Sequence, residues 1–259
     1  MNTVRPKKHL GQHFLRDEEI ARKIVDSLTG FGDYVNVLEI GPGTGVLTKY
    51  LLKEPGYSWW GMDVDVESID YLKNAFRHAS ERILEQDFLS SDLSRLFNNQ
   101  KFAIIGNFPY NISSQILFKI LEYRDHVPEM VGMFQKEVAQ RIAAGPGGKV
   151  NGILSILCRA FYDIEYLFQV NENVFIPPPK VKSAVIRFKR NTTETLACDE
   201  KKFFSIVKTA FNQRRKTLRN SLKSVQPDWS SEAISHLAGK RAEELDVSDF
   251  VEIVLASGN

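Results

Sequence analysis

Short apolar runs alternate with amphipathic stretches along the first 135 residues. We interpret the apolar runs as buried strands over 34–40, 57–62, 82–86, 101–106 and 130–135. A capping Asp17 marks the start of a helix at Glu18, and further helices are predicted over 46–53 and 66–79. This alternation predicts parallel βαβ units, and therefore an α/β fold with a doubly wound, mostly parallel sheet.

The pattern changes in the last third of the chain. Residues 164–170 and 183–190 are strand-like with no full helix between them, which predicts an antiparallel end to the sheet. Polar residues dominate 190–202. The sequence from Phe203 onward has a helical pattern and is rich in basic residues. We therefore predict an α/β domain over 1–190 and a small all-α domain over 191–259.

Composition is that of an ordinary globular protein. Of the 259 residues, 43% are hydrophobic and 25% are charged, and the net charge is only +2. Cys158 and Cys198 lack paired spacing, so neither a disulfide framework nor a metal site is expected. The N-terminus has no apolar signal core, and no apolar run is long enough to cross a bilayer. We therefore expect a cytoplasmic protein without a membrane partner.

Three glycines follow the first predicted long strand. Gly41, Gly43 and Gly45 let the backbone pass close to a ligand at the start of a helix. A dinucleotide-binding loop would have its third glycine one residue later, where Val46 stands. The loop therefore fits a pyrophosphate poorly, and the alternative is that the glycines only make a tight turn.

Carboxylates accompany the ends of the predicted strands. Glu39 precedes the glycine loop, Asp63 ends the second strand, and Asp87 follows the third. Asp63 could accept hydrogen bonds from ribose hydroxyls, and Asp87 could meet an adenine amino group. Each acid alone could simply cap a helix, but the strand ends of such a sheet converge on one rim. Together they favour a site, and their charge suits a cationic ligand such as a sulfonium.

The fourth strand runs into Asn107-Phe108-Pro109-Tyr110 at the same rim. The Asn107 amide and the Phe108 carbonyl are two acceptors that could hold both hydrogens of an exocyclic amine. The Tyr110 ring offers a face on which a base could stack. The alternative is a capped turn with two core aromatics, which explains the asparagine and the proline but not the whole set.

At this point the sequence resembles a known family. "EIGPGTG" and "NFPY" are similar to the motifs of S-adenosylmethionine-dependent adenine-N6 methyltransferases. Five segments in order narrow the resemblance to the bacterial small-subunit ribosomal RNA adenine dimethyltransferases, over essentially the whole chain: "GQHFL", "NFPYNIS", "FQKEVAQR", "FIPPPKVKSAV" and "AFNQRRKTLRNSL".

The resemblance implies a Rossmann-like methyltransferase domain over 1–190 and a helical RNA-binding domain over 191–259. It implies S-adenosylmethionine as cofactor and two adjacent adenosines in a hairpin loop near the 3′ end of the small-subunit RNA as substrate. Each adenosine would receive two methyl groups. The small ribosomal subunit would be the partner, with a role in its biogenesis, and the protein itself would be a monomer.

The resemblance also carries over site residues. Cofactor contacts are implied for His13, Leu15, Gly41, Asp63, Asp87 and Asn107. The other two glycines of the loop, Gly43 and Gly45, are predicted to bind the same cofactor. The family often has Asn in place of His13, Glu in place of Asp63 and Leu in place of Phe108. The shorter Asp63 must then approach the ribose more closely, whereas Phe108 need only offer its carbonyl. Phe175 is implied to face the target base opposite Tyr110; the alternative is a core phenylalanine.

Cations concentrate in one stretch of an otherwise nearly neutral chain. We predict that this basic segment binds RNA through Arg214, Arg215, Lys216, Arg219 and Lys223. Such runs are usually only solvated faces. Arg5, Lys7 and Lys8 form a second cluster near the N-terminus.

Three other functions are alternatives to the one that the resemblance implies. An antibiotic-resistance dimethylase acting on large-subunit RNA would share the "NFPY" motif, but the resemblance of "FNQRRKTLRNSL" speaks against it. A ribosome-assembly factor could bind RNA without catalysis, although the intact 107–110 group favours chemistry. A nicotinamide dehydrogenase is disfavoured by the glycine spacing.

Overall fold

The structure is a computed structural model that describes residues 4–148 and 150–258. The strands are β1 (Phe14–Leu15), β2 (Asn36–Ile40), β3 (Ser58–Asp63), β4 (Ile83–Glu85), β5 (Phe102–Asn107), β6 (Glu129–Gln135), β7 (Tyr162–Val170), β8 (Phe175–Ile176) and β9 (Ser183–Arg190). The helices are α1 (Glu18–Val25), α2 (Thr48–Leu51), α3 (Val66–Ala75), α4 (Leu93–Leu96), α5 (Ser113–Glu122), α6 (Lys136–Ala143), α7 (Ile153–Arg159), α8 (Glu200–Asn212), α9 (Leu218–Ser221), α10 (Glu232–Ser235) and α11 (Val247–Leu255).

The predicted strands are confirmed, and the predicted helices are partly confirmed. Asp17 caps α1 by accepting the Ile20 N–H at 3.0 Å, as its position predicted. The helix after the glycine loop is reduced to the single turn of α2, and the one predicted over 66–79 ends at Ala75. Residues 77–82 form a 3₁₀ helix, because Phe76 leaves the helical region of backbone conformation.

The main sheet has the strand order β4-β3-β2-β5-β6-β9-β7. The pairs β4–β3, β3–β2, β2–β5 and β5–β6 are parallel. Chain order therefore reverses between β2 and β5, and a crevice forms beyond the carboxyl ends of strands at such a switch point. The sequence motifs at Gly41 and Asn107 directly follow or end these two strands. The fold thus places both motifs at this crevice.

The sheet ends as the sequence predicted, with β9 antiparallel to β6. A second, two-stranded antiparallel sheet joins β1 to β8, with Leu15 opposite Phe175. This pairing brings the N-terminal segment against the stretch that precedes the proline run at 177–179. Two stretches that are about 160 residues apart in sequence are thereby adjacent.

The chain divides into two compact units, and this division differs from the predicted domains. The first unit contains residues 1–139 and 164–190, and the second contains 140–163 and 191–259. Residues 140–163 belong to the helical unit because α7 packs on α8 and α11. The Asn151 side chain donates to the Glu243 and Leu245 carbonyls, and Arg159 pairs with Asp246 at 2.9 Å.

The second unit has an aromatic core. Phe203 of α8 and Phe250 of α11 are fully buried, with ring centroids 6.5 Å apart, and Phe211 stacks on Phe250 at 6.1 Å. These contacts explain why the basic, helical part of the chain after residue 203 forms a hydrophobic core of its own. Across the described ranges of the chain, no helix has the length and apolar character needed to span a membrane.

Candidate active site

A cavity of about 240 Å³, here called the first cavity, lies at the switch point of the sheet within the first unit. Most of the predicted site residues line it, namely His13, Gly41, Gly43, Asp63, Asp87, Asn107, Phe108, Pro109 and Tyr110. They come from the ends of four neighbouring strands and from the N-terminal segment. The fold therefore brings together side chains that are spread over about 100 residues of sequence.

Asp63 is buried at the end of β3, where it organises the floor of the first cavity. Its carboxylate accepts the Gly43 N–H at 3.3 Å and the Asp65 N–H at 3.0 Å. Burial raises the pKa of the Asp63 carboxyl, and these backbone hydrogen bonds oppose the rise. An ionised carboxylate has about four acceptor sites, so capacity remains for a ligand hydroxyl.

The glycines of the loop have different roles. Gly41 and Gly43 adopt positive φ angles of 65° and 55° and line the first cavity, and a Cβ on Gly43 would lie 2.8 Å from the Phe14 ring. Gly45 does not line the cavity. A Cβ there would lie 2.6 Å from the Phe76 ring, so Gly45 is needed for packing against α3. This close packing gives Gly45 a structural role, and the cofactor contact predicted for it stays a prediction.

Glu39 lies beneath the loop, fully buried within β2. Its carboxylate accepts the Thr48 hydroxyl at 2.7 Å and the Trp59 indole N–H at 2.8 Å. Burial raises the pKa of Glu39 to about 7, with the two hydrogen bonds opposing the shift. Glu39 therefore ties β2 to the helix after the loop and to β3, and it supports the site without lining it.

Asn107 is half-buried at the end of β5. Its amide nitrogen donates to the backbone carbonyl of His13 at 2.8 Å. His13 is itself held, because its Nδ1 lies 2.7 Å from the Pro177 carbonyl oxygen. This bond uses the donor side of the Asn107 amide and leaves its oxygen as an acceptor in the wall of the first cavity.

Phe108 contributes its backbone and not its ring. The ring is buried in edge contact with Phe134, with centroids 5.2 Å apart. A Cβ on Gly106 or Gly132 would come within 2.7 Å or 2.3 Å of this ring, so both glycines are required by its close approach. The sequence pattern gave no signal for this packing. Phe108 follows Asn107 directly and lines the first cavity with it, and its carbonyl stays the second acceptor that the sequence predicts.

Tyr110 is fixed through its hydroxyl. That hydroxyl lies 2.5 Å from the Ser183 hydroxyl, and Ser183 is fully buried at the start of β9. Burial raises the pKa of Tyr110, so its hydroxyl stays protonated in the ordinary pH range. The His13 ring stacks near the Tyr110 ring, with centroids 5.7 Å apart. Sequence reasoning missed Ser183, which no local pattern marks.

Phe175 and Leu15 lie in the core of the first unit. Each is only 2% exposed, and they are backbone partners in the β1–β8 sheet. Neither is among the described residues that line the first cavity. The core alternative for Phe175 is therefore the arrangement seen, and the ring beside Tyr110 is that of His13. Leu15 holds the N-terminal segment in place by burial.

Contacts from Lys7 and Gln12 to Asp65, here called the latch, hold the N-terminal segment beside the first cavity. Lys7 forms an ion pair with the Asp65 carboxylate, whose side chain is fully buried, and Gln12 donates to it at 3.0 Å. Burial would raise the pKa of Asp65, but the bonds from Gln12, Lys7 and Ser68 outweigh it and lower the pKa. Residues 10–14, which include Gln12, line the first cavity. Sequence reasoning grouped Lys7 only with other surface cations.

The basic segment, residues 214–223, belongs to the second unit. Arg214 pairs with Glu243 at 2.8 Å and is therefore part of the internal structure of that unit. The other four predicted RNA-binding cations are exposed, and none of them forms an ion pair within 4–148 or 150–258: Arg215, Lys216, Arg219 and Lys223.

Comparison with known proteins places the chain in a family. A family model described as ribosomal RNA adenine dimethylase matches residues 3–257. The Ribosomal RNA small subunit methyltransferase A of Cytophaga hutchinsonii is 58% identical over 253 residues, covering 98% of this chain and 97% of the relative. Its namesake in Parabacteroides distasonis is 54% identical over 257 residues, covering 99% and 96%.

Solved structures agree with these relatives. A dimethyladenosine transferase from Plasmodium falciparum matches with a TM-score of 0.76 and 26% identity, covering 94% of this chain and 96% of that one. The 23S rRNA methyltransferase ErmE, at 23% identity, matches with a TM-score of 0.71 over 94% and 99% of the two chains, which is a likeness of fold. The predicted Rossmann-like methyltransferase fold is thus confirmed. Because the family model spans nearly the whole chain and its relatives share over half of their residues with it, the chain belongs to the ribosomal RNA adenine dimethylase family.

Proposed function

We propose that this protein dimethylates the N6 amino groups of two adjacent adenosines in a hairpin loop near the 3′ end of small-subunit ribosomal RNA. The orientation of Asn107 carries the proposal. Because its amide nitrogen is bound to the His13 carbonyl, its oxygen is held as an acceptor beside the Phe108 carbonyl. Family membership supports the chemistry, and the names of the curated relatives support the small subunit as the source of the RNA.

The first cavity suits S-adenosylmethionine as the methyl donor. Asp63 and Asp87 line it with two carboxylates, which suit ribose hydroxyls, an adenine amino group and the positive charge of a sulfonium. Gly41 and Gly43 expose backbone at positive φ, where a side chain would be strained. When bound, S-adenosylmethionine supplies an electrophilic methyl group.

Asn107 and Phe108 prepare the amine of the substrate. The lone pair of an adenine amine is delocalised into the ring, so the planar amine is a poor nucleophile. Two acceptors that hold both N–H groups favour a pyramidal nitrogen with its lone pair facing the donor. Tyr110, held by Ser183, offers a ring face for the base. Positioning then provides most of the catalysis without a strong general base.

The second methylation at each adenosine requires a change in these contacts. In the first transfer the amine nitrogen forms a bond to the methyl group as the methyl–sulfur bond breaks, and the resulting cationic amine releases one proton to water. Only one N–H then remains, so one of the two acceptors loses its partner. The amine must rotate within the same site, and the methyl group needs room there.

The basic segment is proposed to hold the RNA outside the catalytic site. Four of its cations are exposed without ion pairs in the described chain, which suits contacts to phosphates. We further propose that the protein acts as a monomer in the cytoplasm on an immature small subunit and takes part in its biogenesis. A target base must leave its stack to be methylated, and single-stranded loops permit this at least cost.

The direct test uses purified protein, S-adenosylmethionine labelled in its methyl group, and ribosomal subunits from cells that lack this modification. We expect label only in the small subunit, recovered as N6,N6-dimethyladenosine at two adjacent positions. Label in the large subunit would instead support the antibiotic-resistance activity. Binding to the small subunit without any transfer would support a non-catalytic assembly factor.

Cofactor binding is tested separately by calorimetric titration. S-adenosylmethionine should bind and NAD should not. Asp63→Ala should weaken binding by about 1–3 kcal/mol, because a buried acceptor for ribose hydroxyls is lost. Tighter binding of NAD than of S-adenosylmethionine would contradict the assignment of the first cavity.

A further inference from the structure

A second cavity lies directly beside the first. It has a volume of about 650 Å³, and the two cavities share Gly11, Gln12, His13 and Tyr110 as a common wall. His13 and Tyr110 stand between the spaces. A base that stacks at Tyr110 therefore lies next to the second cavity, which is large enough to hold a nucleotide joined to it.

The charge of the second cavity suits a phosphate. Lys8 and Lys180 line it, both are exposed, and neither forms an ion pair in the described part of the chain. None of the described residues that line it carries a carboxylate. The neighbouring Lys7, in contrast, is committed to Asp65. The two free lysines thus concentrate positive charge at this cavity.

The opposite wall of the second cavity is apolar and stiff. It consists of the proline run 177–179 with Ile176 and Val181, which are half-exposed at 50% and 45%. A polyproline stretch is a preformed surface that loses little entropy when a flat group packs on it. The Pro177 carbonyl is also bonded to His13, so this wall is tied to the partition between the cavities.

Gln135 is the polar group of the second cavity that can read a base. It ends β6, two residues beyond Met133, the backbone partner of Asn107, and it is therefore at the same rim of the sheet. It is half-buried, and its amide makes no hydrogen bond to the described residues. A glutamine amide pairs with adenine through one donor and one acceptor.

We propose that the second cavity binds the adenosine next to the one being methylated, with Gln135 reading its base and Lys8 and Lys180 pairing with its phosphate. This inference rests on the proposed function. It explains how the enzyme recognises one adenosine of the pair while the other occupies the catalytic site.

The test uses unmodified small subunits in which one of the two adenosines is replaced by guanosine, and it measures methylation of the remaining adenosine. Guanosine presents an acceptor where adenine presents an amine, so the wild-type protein should lose about tenfold or more in kcat/KM. Gln135→Ala should lose a similar factor on the native subunit and show little further loss on the guanosine subunit. A Gln135→Ala protein that still discriminates as strongly as the wild type would overturn the assignment of Gln135.

The lysines are tested through the salt dependence of binding to unmodified subunits. The double variant Lys8→Met with Lys180→Met should lower the slope of log Kd against log salt by about 1.4–1.8, since each phosphate contact contributes about 0.7–0.9. The double variant Lys53→Met with Lys73→Met, two exposed lysines elsewhere in the first unit, is the charge-matched control and should leave the slope unchanged. Equal slopes for the Lys8 and Lys180 double variant and this control would exclude phosphate contacts here.

These outcomes are separable from failure of the proposed function. If wild-type protein transfers no label to the native subunit, the proposed function fails. If transfer is normal but neither the base discrimination nor the salt slope responds to these variants, only the second-cavity assignment fails.

Discussion

At the rim of the first cavity, the polar groups that face the substrate are bonded to other parts of the protein, whereas the basic segment leaves most of its cations in solvent. Asn107 is bonded to His13, and Tyr110 to Ser183. In the basic segment only Arg214 has a described ion-pair partner, Glu243. The rim is therefore preorganised to hold one geometry, and the segment is suited to attract a charged polymer without fixing its shape.

This difference predicts two kinds of mutational effect. Removing a rim group that itself holds the substrate amine should lower the rate of chemistry, because a preorganised contact is lost and solvent must reorganise. Removing an exposed cation should weaken RNA binding in proportion to the number of phosphates lost, and its effect should shrink as salt increases. The two regions are thus distinguishable by measuring transfer rate and binding separately.

The largest expected effect is that of Asn107→Ala. It removes an oriented acceptor for the adenine amine and should lower the single-turnover methylation rate by about 10²-fold or more. Binding of the small subunit should change little. If the loss appeared in RNA binding with an unchanged transfer rate, Asn107 would behave like a basic-segment residue and the comparison would fail.

Tyr110→Phe is the matched variant at the rim. It keeps the ring face and loses only the bond to Ser183, so it should retain much of the activity. Because burial keeps this hydroxyl protonated, the stacking account assigns it no proton transfer. Inactivity of Tyr110→Phe equal to that of Asn107→Ala would show that the hydroxyl takes part in the chemistry.

The next effect in size concerns the basic segment. Replacing Arg215, Lys216 and Arg219 together by glutamine should lower the salt slope of binding to immature subunits by about 2–3. Calorimetric binding of S-adenosylmethionine should be unchanged. Arg214→Gln is the control, because its ion pair with Glu243 limits its availability for phosphate and its loss should appear mainly in thermal stability.

A smaller effect is expected at the latch of the N-terminal segment. Asp65→Asn keeps the cap on α3, since asparagine caps as well as aspartate, but it removes the ion pair with Lys7. The segment that lines the first cavity is then held less firmly, and S-adenosylmethionine should bind about fivefold more weakly, corresponding to about 1 kcal/mol. Stopped-flow displacement should show most of this change in the dissociation rate.

The control for the latch is Lys49→Met, which removes a more exposed ion pair to Glu18 away from the first cavity. It should leave cofactor dissociation unchanged. If both variants accelerate release equally, the effect is one of general stability and the latch has no special role.

The strand ends could be predicted from sequence because they depend on local patterns. Apolar runs followed by Gly41, Asp63 and Asn107 were enough to predict a doubly wound sheet and its rim. The resemblance then indicated which nucleotide chemistry the rim performs.

Other features could not be predicted because they depend on contacts between distant residues. Ser183 reaches Tyr110 only because β9 returns antiparallel beside β6. For Phe175 the resemblance implied a stacking role and the residues alone favoured the core, and its pairing with Leu15 places it in the core. The assignment of 140–163 to the helical unit likewise follows from packing against residues beyond 190.

The smallest expected effect is a change in the pH dependence of stability, and it concerns Glu39, which lies beneath the glycine loop. The pKa of Glu39 rises from 4.5 to about 7 on folding, so the folded protein holds this proton more tightly than the unfolded chain. Its contribution to stability is therefore fully present below about pH 4.5 and is lost as the pH rises to about 7. Glu39→Gln removes this term while its amide oxygen can still accept from Thr48 and Trp59.

Across that window, the free energy of unfolding of the wild type should fall relative to that of Glu39→Gln, by at most about 1.4 kcal/mol per pH unit for one proton. Urea unfolding at several pH values measures the difference, in which the contribution of the neighbouring Asp63 largely cancels because both proteins contain it. Glu54→Gln, at an exposed position of the same unit, should run parallel to the wild type. Parallel curves for Glu39→Gln as well would mean that Glu39 is ionised in the folded protein, so that a buried carboxylate charge lies beneath the first cavity.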